Sequence, residues 1–201
     1  DTFRIARAPS GNSGDPLALG GDDAAGESRP TYNGRVSGFT LVGDQSGIDF
    51  GVSATGGTNN VAAGARTRVF GIDAKAKLWA NPRAYLLLQG EALHLDRDVA
   101  AWDPATGYQT GVVTPTGGYI FADYNWATRY DAGASYEVFQ RPTLGEERDQ
   151  SVGAYAGLAL LEESTVFRGE WRRTIPDGGE AFDTYTLRVI YSMGPHKAHQ
   201  F

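Results

Sequence analysis

The chain has 201 residues, a net charge of -6 at pH 7, 27 glycines and no cysteine. This length suffices for one domain, and the lack of cysteine excludes disulfides and cysteine-based metal sites. The acidic balance argues against a nucleic-acid-binding protein, which needs a basic surface. No stretch approaches the ~18 apolar residues of a membrane-spanning helix, so a helical membrane protein is excluded. Membrane-spanning strands are not, because their alternating pattern hides them from hydropathy averages.

The first 33 residues are rich in Gly, Asp, Ser and Pro and are predicted to be a loop or linker. Within them, Thr2–Ala8 is a candidate for a short strand, because Phe3 and Ile5 alternate with Arg4.

Residues 34–201 contain nine segments in which apolar and polar residues alternate, which predicts nine strands and no helix. The last segment is the clearest, with Tyr185, Leu187, Val189 and Tyr191 on one parity and Thr184, Thr186 and Arg188 on the other. In the fourth segment, Leu87 and Leu93 interrupt the alternation. The predicted strands are Arg35–Gly43, Ile48–Thr55, Arg66–Trp79, Ala84–Leu95, Gly118–Ala127, Tyr130–Phe139, Gln150–Leu161, Thr165–Thr174 and Thr184–Met193.

The connections between these segments alternate between short turns and longer polar loops. Short turns are predicted at Asp44–Gly47, Ala80–Arg83, Thr128–Arg129 and Glu162–Ser164, and longer loops at Gly56–Ala65, Asp96–Gly117, Gln140–Asp149 and Ile175–Asp183. Short turns at the periplasmic end and longer loops at the extracellular end are typical of outer-membrane barrels. On this reading, residues 1–33 lie at the extracellular end and 34–201 form the transmembrane strands.

Charged residues collect on one parity of the predicted strands, and the opposite parity is almost free of them. An outer-membrane barrel has this pattern, with lipid outside and water and ion pairs inside. A soluble sheet with its polar face outward has the same alternation and stays open as an alternative. The predicted polar-parity charges are Asp49, Asp73, Lys75, Lys77, Glu91, Asp123, Asp131, Glu137, Arg168, Glu170, Arg172 and Arg188.

Aromatic residues near the strand ends lie on the apolar parity and are predicted to form interfacial girdles. They are Tyr124, Trp126, Tyr130, Tyr136, Trp171, Tyr185 and Tyr191.

The C-terminal residues Gly194, Pro195, His196, Ala198, His199 and Phe201 form the pattern Gly-Pro-His-x-Ala-His-x-Phe. This ending resembles that of a group of Gram-negative outer-membrane, porin-like β-barrel proteins, and Gly34–Gly56 and Leu88–Glu91 also look like theirs. The resemblance covers Gly34–Phe201, the C-terminal portion of longer proteins. It implies that Phe201 is the signal read by the barrel-assembly machinery. Gln200 departs from the Pro or Lys expected there.

Nine strands conflict with the even strand number of bacterial single-chain barrels. Either Thr2–Ala8 supplies a tenth strand, or the chain is the C-terminal part of a larger barrel whose other strands lie in an N-terminal segment or on another chain. We favour the second interpretation, because seven residues are short for a membrane span.

The predicted fold is therefore an all-β, antiparallel, up-and-down transmembrane β-barrel in the bacterial outer membrane. The predicted function is a passive pore, or the barrel part of a transporter for small polar solutes, with outer-membrane lipid as its surroundings. A structural barrel that binds partner proteins through the loops around Trp102 and Tyr108 is the alternative. The expected pore-lining residues are Lys75, Lys77, Glu137, Arg168, Glu170, Arg172 and Arg188.

An enzyme is the third and least favoured hypothesis, and no catalytic residue or cofactor is predicted. His94 lies near Asp96 and Asp98, but no Ser stands at a suggestive position for a hydrolase. His196 and His199 are three residues apart, but two His without a third ligand do not define a metal site.

Overall fold

The computed structural model describes residues 30–60, 64–103, 105–142, 147–160 and 165–191, without the side chains at 60, 100–103, 108 and 109. Within these residues every regular element is a strand, and no helix is long and apolar enough to cross a membrane. The strands are β1 (Tyr32–Val42), β2 (Ser46–Asn60), β3 (Ala65–Asn81), β4 (Ala84–Asp103), β5 (Gly107–Val113), β6 (Thr116–Trp126), β7 (Tyr130–Gln140), β8 (Arg148–Leu160), β9 (Thr165–Ile175) and β10 (Phe182–Tyr191).

These strands form one antiparallel, up-and-down sheet in the order β1-β2-β3-β4-β6-β7-β8-β9-β10, with β5 paired to β4 beyond this path. The sheet is not closed, and β1 and β10 are its two edges. Each step along the path reverses the strand direction. Because there are eight steps from β1 to β10, the two edge strands run in the same direction.

The nine predicted strands are confirmed. Most ends differ by three residues or fewer, but β2 runs five residues and β4 eight residues beyond the predicted end, and residues 161, 192 and 193 of the predicted strands lie outside the described residues. The interrupted alternation of the fourth strand is explained by the register: Leu87 and Leu93 lie on the same face as Gln89 and Glu91. Leu93 lies over Gly71, where a Cβ atom would be 2.9 Å from Leu93 Cδ2. The space above a glycine therefore accommodates an apolar side chain on an otherwise polar face.

Two predicted loops are wrong. Residues 56–60 continue β2, so that the segment predicted as the Gly56–Ala65 loop is largely strand. The predicted Asp96–Gly117 loop is a β-hairpin, the arm, in which residues 97–103 of β4 pair with β5. Ladder hydrogen bonds to a neighbouring strand outweigh the weak strand propensity of these Gly- and Asp-containing segments.

The sheet has one end with short turns and one end with longer connections. The short-turn end carries the connections 43–45, 82–83 and 127–129, and the long-loop end carries the arm, residues 141–142 and 147, and the connection 176–181. The predicted turn Glu162–Ser164 lies outside the described residues. At the long-loop end, Ala65 of β3 and Val99 and Val113 of the arm are buried. The predicted strand Thr2–Ala8 lies outside the described residues.

The two faces of the sheet differ in composition and in burial. The apolar face is exposed: Phe50 is 52% exposed, Ile72 61% and Leu187 79%. On the opposite, polar face, Asp123 is only 8% exposed and Asp131 6%. No large side chain among the described residues is completely buried, and the buried apolar residues are the small Ala65, Ala84, Val99 and Val113.

Long side chains on the polar face reach across an intervening strand because glycine occupies the position between them. Arg35 of β1 bonds to Asp73 of β3 over Gly51 of β2. Phe121 of β6 stacks on Tyr155 of β8, with ring centroids 5.8 Å apart, although strands two apart are separated by roughly 9.6 Å. These contacts indicate that the sheet curves toward its polar face.

Gly133 of β7 is packed so closely by its neighbours that a side chain there would collide with them. A Cβ atom there would lie 2.5 Å from the Ala122 carbonyl oxygen and 2.6 Å from the Tyr155 ring. We expect Gly133→Ala to reduce the free energy of unfolding by about 1–3 kcal/mol, as overpacking does. The matched control is Gly169→Ala, because nothing lies within 4 Å of the added methyl group. Denaturant unfolding in detergent measures both, and equal midpoints would contradict the close approach.

Candidate functional site

The polar face is the candidate functional site, because it gathers ionisable side chains from most strands of the sheet. The cross-strand registers place all twelve of the predicted polar-parity charges on this single face. They also add Arg35, which sequence analysis missed. The alternation of Arg35 with Val36 at the start of β1 was the available signal, but no face was assigned to that strand.

Asp131 and Arg168 form the most enclosed ion pair of the polar face. The Arg168 guanidinium donates to Asp131 Oδ2, and its carbon lies 4.3 Å from the centroid of the Tyr155 ring. Asp123 is buried beside this group on β6. Because Gly157 separates Asp131 from Arg168 in the register, a side chain at 157 would collide with the Asp131 carboxylate. The pair therefore lies over Gly157 and against the Tyr155 ring.

A second network runs from β7 to the edge strand β10. Arg172 Nη1 donates to Glu137 Oε2 at 2.7 Å, and Arg172 Nη2 lies 3.7 Å from Glu170 Oε1. Arg188 Nη2 lies 3.1 Å from Glu170 Oε2. Ser151 Oγ donates to Glu137 at 3.1 Å. The two arginines and two glutamates alternate in sign, so each charge has an opposite neighbour.

The β1–β4 half of the polar face contains an ion pair and a cation–π cluster. Both terminal nitrogens of the Arg35 guanidinium donate hydrogen bonds to the Asp73 carboxylate, at 2.6 and 2.7 Å. Lys77 Nζ lies 4.7 Å from the Trp79 ring centroid and 4.5 Å from that of Tyr85, which is cation–π distance. Lys75 is the direct cross-strand neighbour of Asp49. Basic groups here therefore face aromatic rings as well as carboxylates.

A separate charged group lies at the long-loop end. Arg141, just after β7, donates to both Asp149 oxygens at 2.8 Å, and the Asp177 backbone nitrogen donates to Asp149 Oδ1 at 2.9 Å. Hydrogen bonding to Asp149 raises the pKa of the Arg141 guanidinium above its ordinary value. These bonds tie the 141–147 connection to the 176–181 connection.

The seven predicted pore-lining residues all lie on the polar face, and five of them belong to the ion pairs described above. Their role as a pore lining stays a prediction. His94 lies on the opposite, apolar face, between Phe70 and Thr116 in the register, and is exposed. Among the described residues, no three His, Cys, Asp or Glu side chains lie close enough to hold a metal ion. His196, His199 and Phe201 lie outside the described residues.

No protein-family model, no curated protein and no solved structure matches this chain.

The enclosed ion pair of Asp131 and Arg168 is expected to contribute more to stability than an exposed pair does. We expect Arg168→Gln to lower the free energy of unfolding by about 3 kcal/mol, because it leaves the buried Asp131 carboxylate without its counter-charge. The control is Arg68→Gln, whose partner Asp96 lies 3.3 Å away in an exposed pair and whose loss costs about 1 kcal/mol or less.

Denaturant unfolding measures both variants. The double variant Asp131→Asn/Arg168→Gln is expected to regain part of the loss, because it removes the buried charge as well. Equal effects of Arg168→Gln and Arg68→Gln would contradict the proposed importance of burial.

Proposed function

We propose that this chain forms strands of an outer-membrane β-barrel that acts as a passive pore, or as the barrel part of a transporter, for small polar solutes. One observation carries the proposal: the exposed face of the sheet is apolar and the more buried face is charged. Water disfavours this arrangement, because soluble monomers rarely expose apolar patches above a few hundred Å². A bilayer favours it, because lipid contacts the apolar side chains while charges pair on the other face.

The dimensions of the apolar face support the same proposal. On β3, the outward charge-free stretch runs from Phe70 to Leu78, which spans roughly 26 Å along the strand at ~3.3 Å per residue. At the ~40° tilt usual for such strands, this length corresponds to a height of roughly 20 Å, most of the apolar band of about 25 Å that such barrels have. At the long-loop end the stretch is bounded by the outward-facing pair of Arg68 and Asp96.

Aromatic side chains lie at both ends of this apolar face. Near the short-turn end, Trp126 stacks with Tyr124 and with Tyr130, at centroid distances of 6.0 and 5.5 Å. Toward the other end, the Trp171 indole nitrogen donates to Asp183 at 3.1 Å while its ring lies on the apolar face. Rings with one wet and one apolar side favour the membrane interface.

The second candidate is a structural barrel that holds partner proteins at its long-loop end, and two observations favour it. The ion pairs of β7–β10 occupy the polar face, as happens in small barrels whose interiors are filled by side chains. The arm also extends past the body of the sheet. In either case the proposed surroundings are outer-membrane lipid, with the barrel-assembly machinery acting on Phe201.

The membrane proposal predicts opposite effects for lysine at two adjacent positions of β10. Leu187 lies on the apolar face and Thr186 on the polar face. In water, Leu187→Lys would be nearly neutral, because Leu187 is 79% exposed. In a bilayer it is expected to cost about 2–4 kcal/mol, whereas Thr186→Lys is tolerated.

The assay is recovery of each variant in the outer-membrane fraction of a Gram-negative host, followed by unfolding in lipid vesicles. Equal recovery and equal stability of Leu187→Lys and Thr186→Lys would contradict a lipid-facing position for Leu187.

The pore proposal predicts channel activity whose ion selectivity depends on the polar face. We expect the reconstituted protein to conduct in planar bilayers. Lys75→Glu/Lys77→Glu is expected to shift the reversal potential toward cation preference, because four units of charge change on the polar face. The control Arg68→Glu lies on the outward face and is expected to leave the reversal potential unchanged. Absence of channels at any voltage would remove the pore and leave the structural barrel.

A further inference from the structure

Two large apolar side chains of β1 lie on the polar face of the sheet. In the register with β2, Phe39 is opposite Asp49 and Leu41 is opposite Gly47, so both face the same side as Asp49. Phe39 is 56% exposed and Leu41 66%. The Phe39 ring lies over Gly47, where a Cβ atom would be 2.7 Å from the ring. An apolar surface therefore faces the charged side of the sheet.

Phe39 and Leu41 form one wall of a pocket of about 90 Å³ at the short-turn end. Residues 44–47 also line this pocket, and Lys75 and Lys77 of β3 stand on its other side. Because β2 lies between β1 and β3, Asp49 lies between the two walls. Sites for drug-sized molecules have roughly 300–1,000 Å³, so this pocket suits a smaller ligand.

Two charged groups of the pocket make no hydrogen bond or ion pair with any described residue. Asp49 Oδ1 is buried and accepts no hydrogen bond. Lys75 is the cross-strand neighbour of Asp49, but within the described part of the chain it has no hydrogen-bonding or ion-pair partner. A buried acceptor without a donor is unfavourable. A ligand that brings a donor to Asp49 and an acceptor to Lys75 would satisfy both groups.

The register places the apolar group and the two charges in one row. Phe39, Asp49 and Lys75 are successive neighbours on β1, β2 and β3. Adjacent strands are about 4.8 Å apart, so a ligand that reaches from Phe39 to Lys75 passes over Asp49. Its apolar group, its donor and its acceptor therefore have to follow one another in that order. An α-amino acid has this order, because the carbon that carries the ammonium group joins the side chain to the carboxylate.

We propose that this pocket binds α-amino acids with a large apolar side chain, as solutes of the barrel; this inference rests on the proposed pore function. The ligand side chain packs on Phe39 and Leu41. The ligand ammonium group donates to Asp49, and the ligand carboxylate binds Lys75. Lys77 lines the same pocket and adds positive charge beside the carboxylate. A simple anion fits less well, because Asp49 repels it, and a simple amine leaves Lys75 without an acceptor.

Isothermal titration calorimetry of the full chain in detergent tests the site, with phenylalanine as the probe. Three analogues each lack one feature: 3-phenylpropionate lacks the ammonium group, phenethylamine lacks the carboxylate and alanine lacks the ring. We expect each analogue to bind at least about 10-fold more weakly than phenylalanine, because one charge-assisted hydrogen bond or one buried ring contributes that much. This comparison uses the unmodified protein and does not depend on any variant folding.

Substitutions assign the contacts to individual residues. Lys75→Gln and Asp49→Asn are each expected to weaken phenylalanine binding by about 10-fold. In Asp49→Asn, the preference for phenylalanine over 3-phenylpropionate is expected to disappear, which a general loss of folding does not reproduce. Phe39→Ala is expected to bring the affinity for phenylalanine close to that for alanine. The control Arg68→Gln lies on the outward face and is expected to bind phenylalanine as the unmodified protein does.

The outcomes separate this site from the pore itself. Equal affinities for phenylalanine and 3-phenylpropionate, or for phenylalanine and phenethylamine, would overturn the assignment of a zwitterion. Absence of saturable phenylalanine binding to protein that conducts in planar bilayers would overturn this inference and leave the pore intact. Selective binding by protein that forms no channels would instead overturn the pore, and with it the role of these amino acids as solutes.

Discussion

The structure depends on one electrostatic constraint: charges that leave bulk water need opposite charges close by. The polar face meets it with pairs that reach over glycine, as Arg35 reaches Asp73 over Gly51 and Arg168 reaches Asp131 over Gly157. The glycines are therefore as important as the charges, because a side chain at either position would separate the partners. With most of its charges paired on the polar face, the sheet presents a mainly apolar surface on the other side, with the outward-facing ion pairs confined to the long-loop end.

Much of this arrangement was predictable, because a strand has a period of two. Alternation placed Leu187 and Arg188 on opposite faces, and the same rule assigned Lys75, Glu137 and Arg172 to one face without any tertiary information. Sequence also gave the order of the nine main strands, since short turns between alternating segments leave little choice of neighbour. The face of a residue and the order of neighbouring strands are local properties, so the residue pattern within each segment is enough to predict them.

The parts that were missed depend on contacts distant in sequence. The arm pairs Gly- and Asp-containing residues that look like a loop, and only β5 lying against β4 makes them strands. The pair of Arg35 and Asp73 joins residues 38 positions apart, and alternation does not specify partners. Leu93 looked like an irregularity until the register placed it over Gly71. The stagger between neighbouring strands determines which charged residues become partners. Amino-acid composition does not encode this stagger.

The matching direction of β1 and β10 has a consequence for association between molecules. Two such edges do not pair with each other in the antiparallel manner. Within the part of the chain that the structure describes, both edges therefore expose unpaired amide and carbonyl groups, which are templates for fibrillar stacking between molecules. An antiparallel strand that covered either edge would satisfy these groups and suppress such aggregation.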